Sequence, residues 1–559
     1  MHQPSLLARR VALLLSGALL APVALAQVAA NQAVANQPVA AASEVATADA
    51  ALPAQLQDID VHIESVRKRF DVPGIAIAIV KDGRVVLERG YGVRELGKPE
   101  AVDAHTLFAI ASNTKAFTAT GLSMLAEDGK LSLDDRVIDH LPWFQMSDPY
   151  VTGEMRLRDL LAHRSGLGLG AGDLLYWPGT TYSNEEVARR LRHVPLTGSF
   201  RGQYAYDNIL YGVAQLVIEK VSGQSYEAFL RTRIFAPLHM DETRYNADAL
   251  RAGDNVATGH AKADFTHLQP APRMTWSNVA GAGGIYSSVH DMGKWMRVQL
   301  AGGVYEGQGE SARRLFSQKR QQAMWSVITP IPISTPSVPE LLPAKPNFLG
   351  YGEGWQLSDY RGNKLVWHTG GWPGMVSRLT MVPELGLGVI VLTSAEQGGA
   401  FNAITMRVLD AYLGAPRTDW TAAYGAALAK AQEKADDSWR KHLAARDAES
   451  TPSLPLTGYA GTYRDPWYGD VAIEPHDGKL RMRFTASPAM VGVLEHWQHD
   501  TFIVRWDQRW LNADAFVNFA LTADGGIREM RIEAISPRTD FSFDFQDLRL
   551  VPVARDTAR

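Results

Sequence analysis

The sequence predicts an α/β fold of the α+β kind, one antiparallel sheet flanked by helices, followed by a separate all-β, barrel-like domain. Three observations carry this expectation. Near residue 80 the apolar runs Gly74-Ile75-Ala76-Ile77-Ala78-Ile79-Val80 and Arg84-Val85-Val86-Leu87-Glu88 flank Asp82-Gly83, a step that signals a hairpin. Near residue 385 a second pair of runs, Ser377–Val382 and Gly388–Thr393, brackets Pro383–Leu387, and the stretch between the two hairpins is mainly helical in pattern. Beyond Leu454 the texture changes to short alternating runs, among them Asp470–Glu474, Lys479–Phe484, Thr501–Trp506 and Ile527–Ile532, separated by turns such as Asp477-Gly478 and Asp524-Gly525-Gly526.

At 559 residues the chain exceeds one typical domain, and its 46% hydrophobic and 21% charged content is that of a globular protein. The net charge of -4 offers no basic footprint, so nucleic acid is not an expected partner. Arg9 and Arg10, the apolar run Val11–Leu20 and Ala24-Leu25-Ala26 read as a signal peptide over residues 1–26, cleaved after Ala26. The apolar run is short and ends at Pro22, so no stable membrane anchor is expected and the location is periplasmic or secreted. With no cysteine anywhere, disulfides and thiolate metal sites are excluded.

Residues 27–51 read as a flexible leader. The first folded domain, 52–416, opens on an amphipathic helix near Ile59–Phe70. Six prolines between Thr329 and Phe348 predict an extended loop, either lining a cleft or a plain surface excursion. Gly166–Gly172 lacks both dinucleotide-loop register and a phosphate-loop lysine, and reads as a flexible loop near the cleft. Alanine and charge alternate through residues 417–450, a helical linker, and residues 451–555 form the β domain. That domain either shapes the cleft or serves as scaffold.

The chemistry is concentrated at Ser112-Asn113-Thr114-Lys115, which follows the strand-like Thr106–Ala111 and precedes the helical pattern Ala116–Ala126. Residues three apart share a helix face, so the Lys115 amine can reach the Ser112 hydroxyl. The first turn of a helix also favours a developing oxyanion and a neutral lysine, and a lysine acting as base needs a depressed pKa. Two other S-x-x-K matches, Ser65–Lys68 and Ser438–Lys441, lie in charged helical segments and are set aside.

Two further motifs follow in order. Tyr206-Asp207-Asn208 precedes an amphipathic helix, and His368-Thr369-Gly370-Gly371 follows the strand-like Lys364–Trp367. A rival Tyr182-Ser183-Asn184 reads as a helix N-cap, since acids fill the next turn. The three ordered motifs resemble the S-x-x-K, Y-x-N and K/H-T/S-G signatures of the serine β-lactamase and penicillin-binding-protein superfamily. The branch is the one holding class C β-lactamases, D-alanyl-D-alanine carboxypeptidases and D-aminopeptidases. Leu160–Leu167 and Gly281–Ser287 look like companion signatures of that family, and the β domain is similar to its lipocalin-like appendage.

The resemblance implies a β-lactamase/transpeptidase-like fold with no metal and no cofactor. It implies Ser112 as acylated nucleophile, Lys115 and Tyr206 sharing general base and acid duty, and Asn208 as holder of the substrate's acyl-side amide. His368, Thr369, Gly370 and Gly371 supply the third motif, with the N–H groups of Ser112 and Gly371 as oxyanion hole. His368 replaces the lysine that commonly receives a substrate carboxylate, and offers a weaker charge that titrates near neutrality. The function expected is hydrolysis of an amide or ester bond in D-amino-acid peptides, peptidoglycan-type peptides or small esters. The alternatives are a β-lactamase and a non-catalytic penicillin-binding or sensor protein. His496-Trp497-Gln498-His499 lacks the surroundings of a metal site.

Overall fold

A computed structural model describes residues 52–554. The expected signal peptide and leader lie outside the described residues. The first lobe contains strands β1 (Gly74–Lys81), β2 (Arg84–Gly92), β3 (Thr329–Pro330), β4 (Leu349–Tyr351), β5 (Gln356–Tyr360), β6 (Asn363–Trp372), β7 (Met375–Val382) and β8 (Leu387–Thr393). They form one sheet in the order β2-β1-β8-β7-β6-β5-β4-β3, every neighbour antiparallel. Ile75 lies opposite Thr393 and Lys81 opposite Leu387, so the two ends of the domain meet within the sheet.

The period of two in β1 sorts its side chains between two cores. Ile75, Ile77 and Ile79 join α1 (Ile59–Arg69), α5 (Gly398–Leu413) and the start of α6 (Trp420–Ala445). Ala76, Ala78 and Val80 face the larger core, with α2 (Thr114–Glu127), α3 (Ile209–Ser222) and α4 (Val289–Leu300). Both faces are covered, and full burial of each isoleucine contributes about 1.5–3 kcal/mol. The β1–β2 turn places Asp82 at φ 50° and Gly83 at φ 75°, the left-handed pair that matches strand twist in a two-residue hairpin.

The proline-rich segment is more ordered than its composition suggests. Thr329 and Pro330 form the sheet's outermost strand, where proline's missing donor costs no ladder bond. Pro339–Ala344 is a 3₁₀ stretch packed on α6.

The second lobe is a nearly closed eight-stranded antiparallel barrel: β9 (Gly461–Asp465), β10 (Gly469–His476), β11 (Lys479–Phe484), β12 (Val491–Gln498), β13 (Thr501–Trp506), β14 (Ala515–Leu521), β15 (Ile527–Ala534) and β16 (Val551–Pro552). The strand order is β15-β14-β13-β12-β11-β10-β9-β16, and a bridge between Met530 and Leu550 brings the last strand back towards β15. Tyr459, Tyr463, Phe484, Phe502, Trp506, Phe519 and Phe545 fill the interior. His496 Nε2 bonds the carbonyl of His499, and no group of three potential metal-binding side chains occurs among the described residues. No helix among them is long and apolar enough to cross a membrane.

Both lobes belong to one compact unit. The rival Tyr182 takes part in this junction: its hydroxyl donates to the Tyr468 carbonyl at 2.6 Å, while Ser183 caps the helix Asn184–Arg190 in a capping box with Glu186. Arg190 reaches the Trp467 carbonyl at 2.9 Å, and Asn512 of the barrel donates to the Lys262 carbonyl at 2.9 Å.

Candidate active site

Ser112 sits in a 3₁₀ turn, Ala111–Asn113, that leads into α2. Ala111, just before it, is held at φ 47°, a left-handed conformation that costs a residue with a Cβ about 1–2 kcal/mol. The turn is braced from β7: Ser377 Oγ donates to the Ile110 carbonyl at 2.7 Å and receives Asn113 Nδ2 at 2.8 Å. Gly370 on β6 passes so close that a Cβ there would collide with the Ile110 carbonyl and the Ser377 hydroxyl. Gly371 is exposed, and a Cβ there would meet nothing within 4 Å. The pairing of β5 with β6 stops at Trp367, so His368–Trp372 runs on past the end of that partner strand.

Every residue of α2 from Thr114 to Leu125 is buried, which carries Lys115 into the core. Its Nζ lies 3.1 Å from Ser112 Oγ, 2.6 Å from Asn208 Oδ1 and 2.9 Å from the Ala282 carbonyl. The rings of Tyr206 and Tyr211 stand 4.8 and 5.3 Å from the amine. Burial pulls the Lys115 pKa down to about 7, against the opposing charges of Asp173 and Asp207. The other two S-x-x-K serines lie on helix faces away from any such pocket, Ser65 exposed and Ser438 half-buried.

Tyr206 is half-buried with its hydroxyl bonded to Ser112, and burial pushes its pKa well above the usual phenol value. Its ring rests on His163, with centroids 4.2 Å apart, and His163 also packs on Tyr351 at 4.4 Å. Burial and the nearby Lys115 hold His163 well below its ordinary pKa, so it is a neutral packing element.

Two expectations need correction. His368 does not carry a charge that titrates near neutrality: burial, then Lys115, pull its pKa down to about 3. Its Nδ1 lies 2.6 Å from the Thr369 carbonyl, which makes it the protonated nitrogen, and Nε2 accepts from the Tyr351 hydroxyl at 2.8 Å. The glycine loop is also not a free segment. Gly166, Leu167, Gly170, Ala171 and Gly172 are buried, and Gly170 N–H donates to the Tyr206 carbonyl at 2.9 Å. A side chain at Gly170 would run into Phe541 of the second lobe.

Asn208 uses both ends of its amide within the protein. Oδ1 accepts from Lys115, and Nδ2 donates to Asp173 Oδ2 at 2.9 Å. Asp173 is buried and its pKa is raised by that burial to about 7. It also receives Ser542 Oγ at 2.8 Å, from a loop of the barrel. The same loop places Phe541 edge-on to Tyr206, centroids 6.0 Å apart. Asp207 receives Ser165 Oγ at 2.6 Å, and burial raises its pKa to about 7 as well. Tyr351, Asp173, Ser542 and Phe541 carried no motif. Asp173 alone had a local signal, standing at the end of the glycine loop.

The fold is that of a class of serine hydrolases, and it brings Ser112, Lys115 and Tyr206 together in one place. The β-lactamase family model matches residues 59–413, most of the chain, and a domain of unknown function, DUF3471, matches residues 445–552. The chain therefore belongs to the β-lactamase family, within the β-lactamase and penicillin-binding-protein superfamily. The unguisins hydrolase ungD of Aspergillus violaceofuscus is 29% identical over 480 residues, covering 80% of this chain and 82% of that relative. Protein flp of Staphylococcus aureus is 26% identical over 341 residues, covering 60% of this chain and 63% of the relative. Among solved structures, the D-amino acid amidase of Ochrobactrum anthropi SV3 is 25% identical with a TM-score of 0.53, covering 64% of this chain and 99% of its own. The octameric penicillin-binding protein homologue of Pyrococcus abyssi, 22% identical with a TM-score of 0.55, covers 89% of this chain and 99% of its own and shares the fold.

Proposed function

We propose that the protein is an exported amidohydrolase that cleaves peptide or amide substrates carrying D-amino acids through an acyl-Ser112 intermediate. The observation that carries this reading is the Lys115 amine, buried 3.1 Å from Ser112 Oγ with a pKa near 7. A base poised near the operating pH is the efficient one. Ser112 attacks the carbonyl carbon and gives its proton to Lys115, while the N–H groups of Ser112 and Gly371 receive the oxyanion. Tyr206 remains a neutral phenol at neutral pH, so it serves as the acid: it protonates the leaving amine and is reprotonated from Lys115. Water then cleaves the acyl-enzyme along the same proton path in reverse.

The D-amino acid amidase supports an amide bond as the target, and the unguisins hydrolase supports hydrolysis. A neutral His368 supplies no cation at the third motif, which disfavours substrates recognised through a carboxylate there, β-lactams among them. Export rests on the sequence of the first 26 residues.

The test is intact-mass analysis after exposure to a fluorophosphonate. The wild type should gain one adduct, and both Ser112→Ala and Lys115→Ala should lose it. Equal labelling of all three proteins, or of none, overturns the reading. A panel of D- and L-amino acid amides, aryl esters and a chromogenic cephalosporin then ranks the substrates, with the D-amides expected first.

A further inference from the structure

We propose that Ser542, carried by the C-terminal barrel, is a positioning residue of the hydrolase site: through Asp173 and Asn208 it fixes where the Lys115 amine points its lone pair. The inference rests on the serine hydrolase reading above. The contacts form an unbroken chain, Ser542 Oγ to Asp173 Oδ2 at 2.8 Å, Asn208 Nδ2 to the same oxygen at 2.9 Å, and Lys115 Nζ to Asn208 Oδ1 at 2.6 Å.

The valence of the amine decides which way the lone pair faces. A charged ammonium has three N–H groups, and Lys115 faces three acceptors in Asn208, Ala282 and Ser112. A neutral amine has two N–H groups and one lone pair. If Asn208 Oδ1 and the Ala282 carbonyl take the two hydrogens, the lone pair is left for the Ser112 hydroxyl, the geometry a general base requires. Were the Asn208 amide to flip, its NH₂ would face Lys115 and claim that lone pair. The ionised Asp173 carboxylate, which the Ser542 hydroxyl favours by donating to it, prevents the flip, since only the NH₂ end of the amide can donate to a carboxylate.

Asp173 is held in turn from the barrel. The loop bearing Ser542 is fixed by its own Asp540, whose Oδ1 accepts Ser542 N–H at 2.9 Å. Asp544 on that loop accepts Gly172 N–H at 2.7 Å and Leu174 N–H at 3.1 Å, which flank Asp173. The charged and titratable groups around the pair are few. Asp173 faces Tyr176, Asp540 and Asp544. Lys115 faces Asp173 and Asp207, with neutral His163 and His368 and the rings of Tyr206 and Tyr211 beside it. Ser542 donates to Asp173 and so favours its ionised form, and that charge in turn favours protonated Lys115.

Ser542→Ala removes the side-chain donor and leaves the main-chain bond to Asp540 in place. The Lys115 titration, followed by NMR of ¹³C-labelled lysine and assigned with Lys115→Ala, should move down by roughly half a pH unit. The rising limb of kcat/KM against pH for p-nitrophenyl acetate should follow it, and Ser542→Thr should restore both. A purely structural role would lower activity at every pH and leave the Lys115 titration where it was, and that result overturns the proposal. Absence of a Ser112-dependent fluorophosphonate adduct in the wild type would overturn the hydrolase reading instead, while the Lys115 titration still decides the link to Ser542.

Discussion

Asp173 is the residue whose charge state says most about the balance struck in this site. Its pKa is about 7 in the folded protein, because burial outweighs the hydrogen bonds it receives, against 3.8 in an unfolded chain. A carboxyl with a raised folded pKa stabilises the native state fully below pH 3.8, and that contribution is lost as pH rises through 7. Relative to Asp173→Asn, which cannot ionise, the wild type should lose stability between pH 4 and 7 by up to about 1.4 kcal/mol per pH unit. Denaturant titrations of both proteins at pH 4.5, 5.5 and 6.5 measure the slope. Parallel stability curves would mean that Asp173 ionises inside the fold as easily as outside it. Lys115, depressed to about 7, works in the opposite direction: its contribution is complete above 10.5 and is lost as pH falls through 7.

At the scale of elements, the approach of β6 to the turn carrying Ser112 is the decisive contact, and two adjacent glycines on that strand separate packing from access. Gly370→Ala would push against the Ile110 carbonyl and the Ser377 hydroxyl, the groups that keep Ala111 in its left-handed conformation. It should cost about 1–3 kcal/mol of stability and, by displacing Ser112, about 10²-fold in kcat. Gly371→Ala meets open space and should leave the melting temperature unchanged. Calorimetry of both variants checks the contrast, and equal melting temperatures would remove Gly370 from its role as spacer. This element-level geometry was legible in the sequence because it is local: Ser112 and Lys115 share one helix start, and Gly370 and Gly371 share one strand. The sheet from both ends of the domain was legible too, through the hairpin at Asp82-Gly83 and the second pair of runs around Pro383–Leu387. What was not legible is non-local. The neutrality of His368 comes from burial beside Tyr351 and Lys115, which no spacing encodes. The glycine loop 166–172 has the composition of a free loop, yet a barrel loop more than 350 residues later lies against Gly170 and accepts the Gly172 N–H, while the Tyr206 carbonyl accepts that of Gly170.

At the scale of the molecule, that same cover makes the two lobes interdependent. Trp177 of the first lobe packs on Phe543 of the barrel, and residues of both contribute to one continuous apolar core. Asp544 anchors the junction by accepting the N–H groups of Gly172 and Leu174, all of them buried. A chain of two separate domains would ordinarily unfold in two steps. Here the loss of either lobe would expose apolar surface of the other and leave buried donors without acceptors, so unfolding should be a single calorimetric transition. Asp544→Ala strands two buried donors at about 1–3 kcal/mol each, a loss partly offset because the mutual repulsion of Asp544 and Asp173 is also removed. The net effect should be one transition at a lower temperature. Two resolved transitions in the wild type, or a variant that shifts only one of them, would show that the barrel folds beside the hydrolase lobe without being coupled to it. Coupling carries a functional consequence: Asp544 and Ser542 sit on one short loop, so loosening the junction at Asp544 also loosens the hold on Asp173. Activity should then fall with rising temperature before the global transition begins.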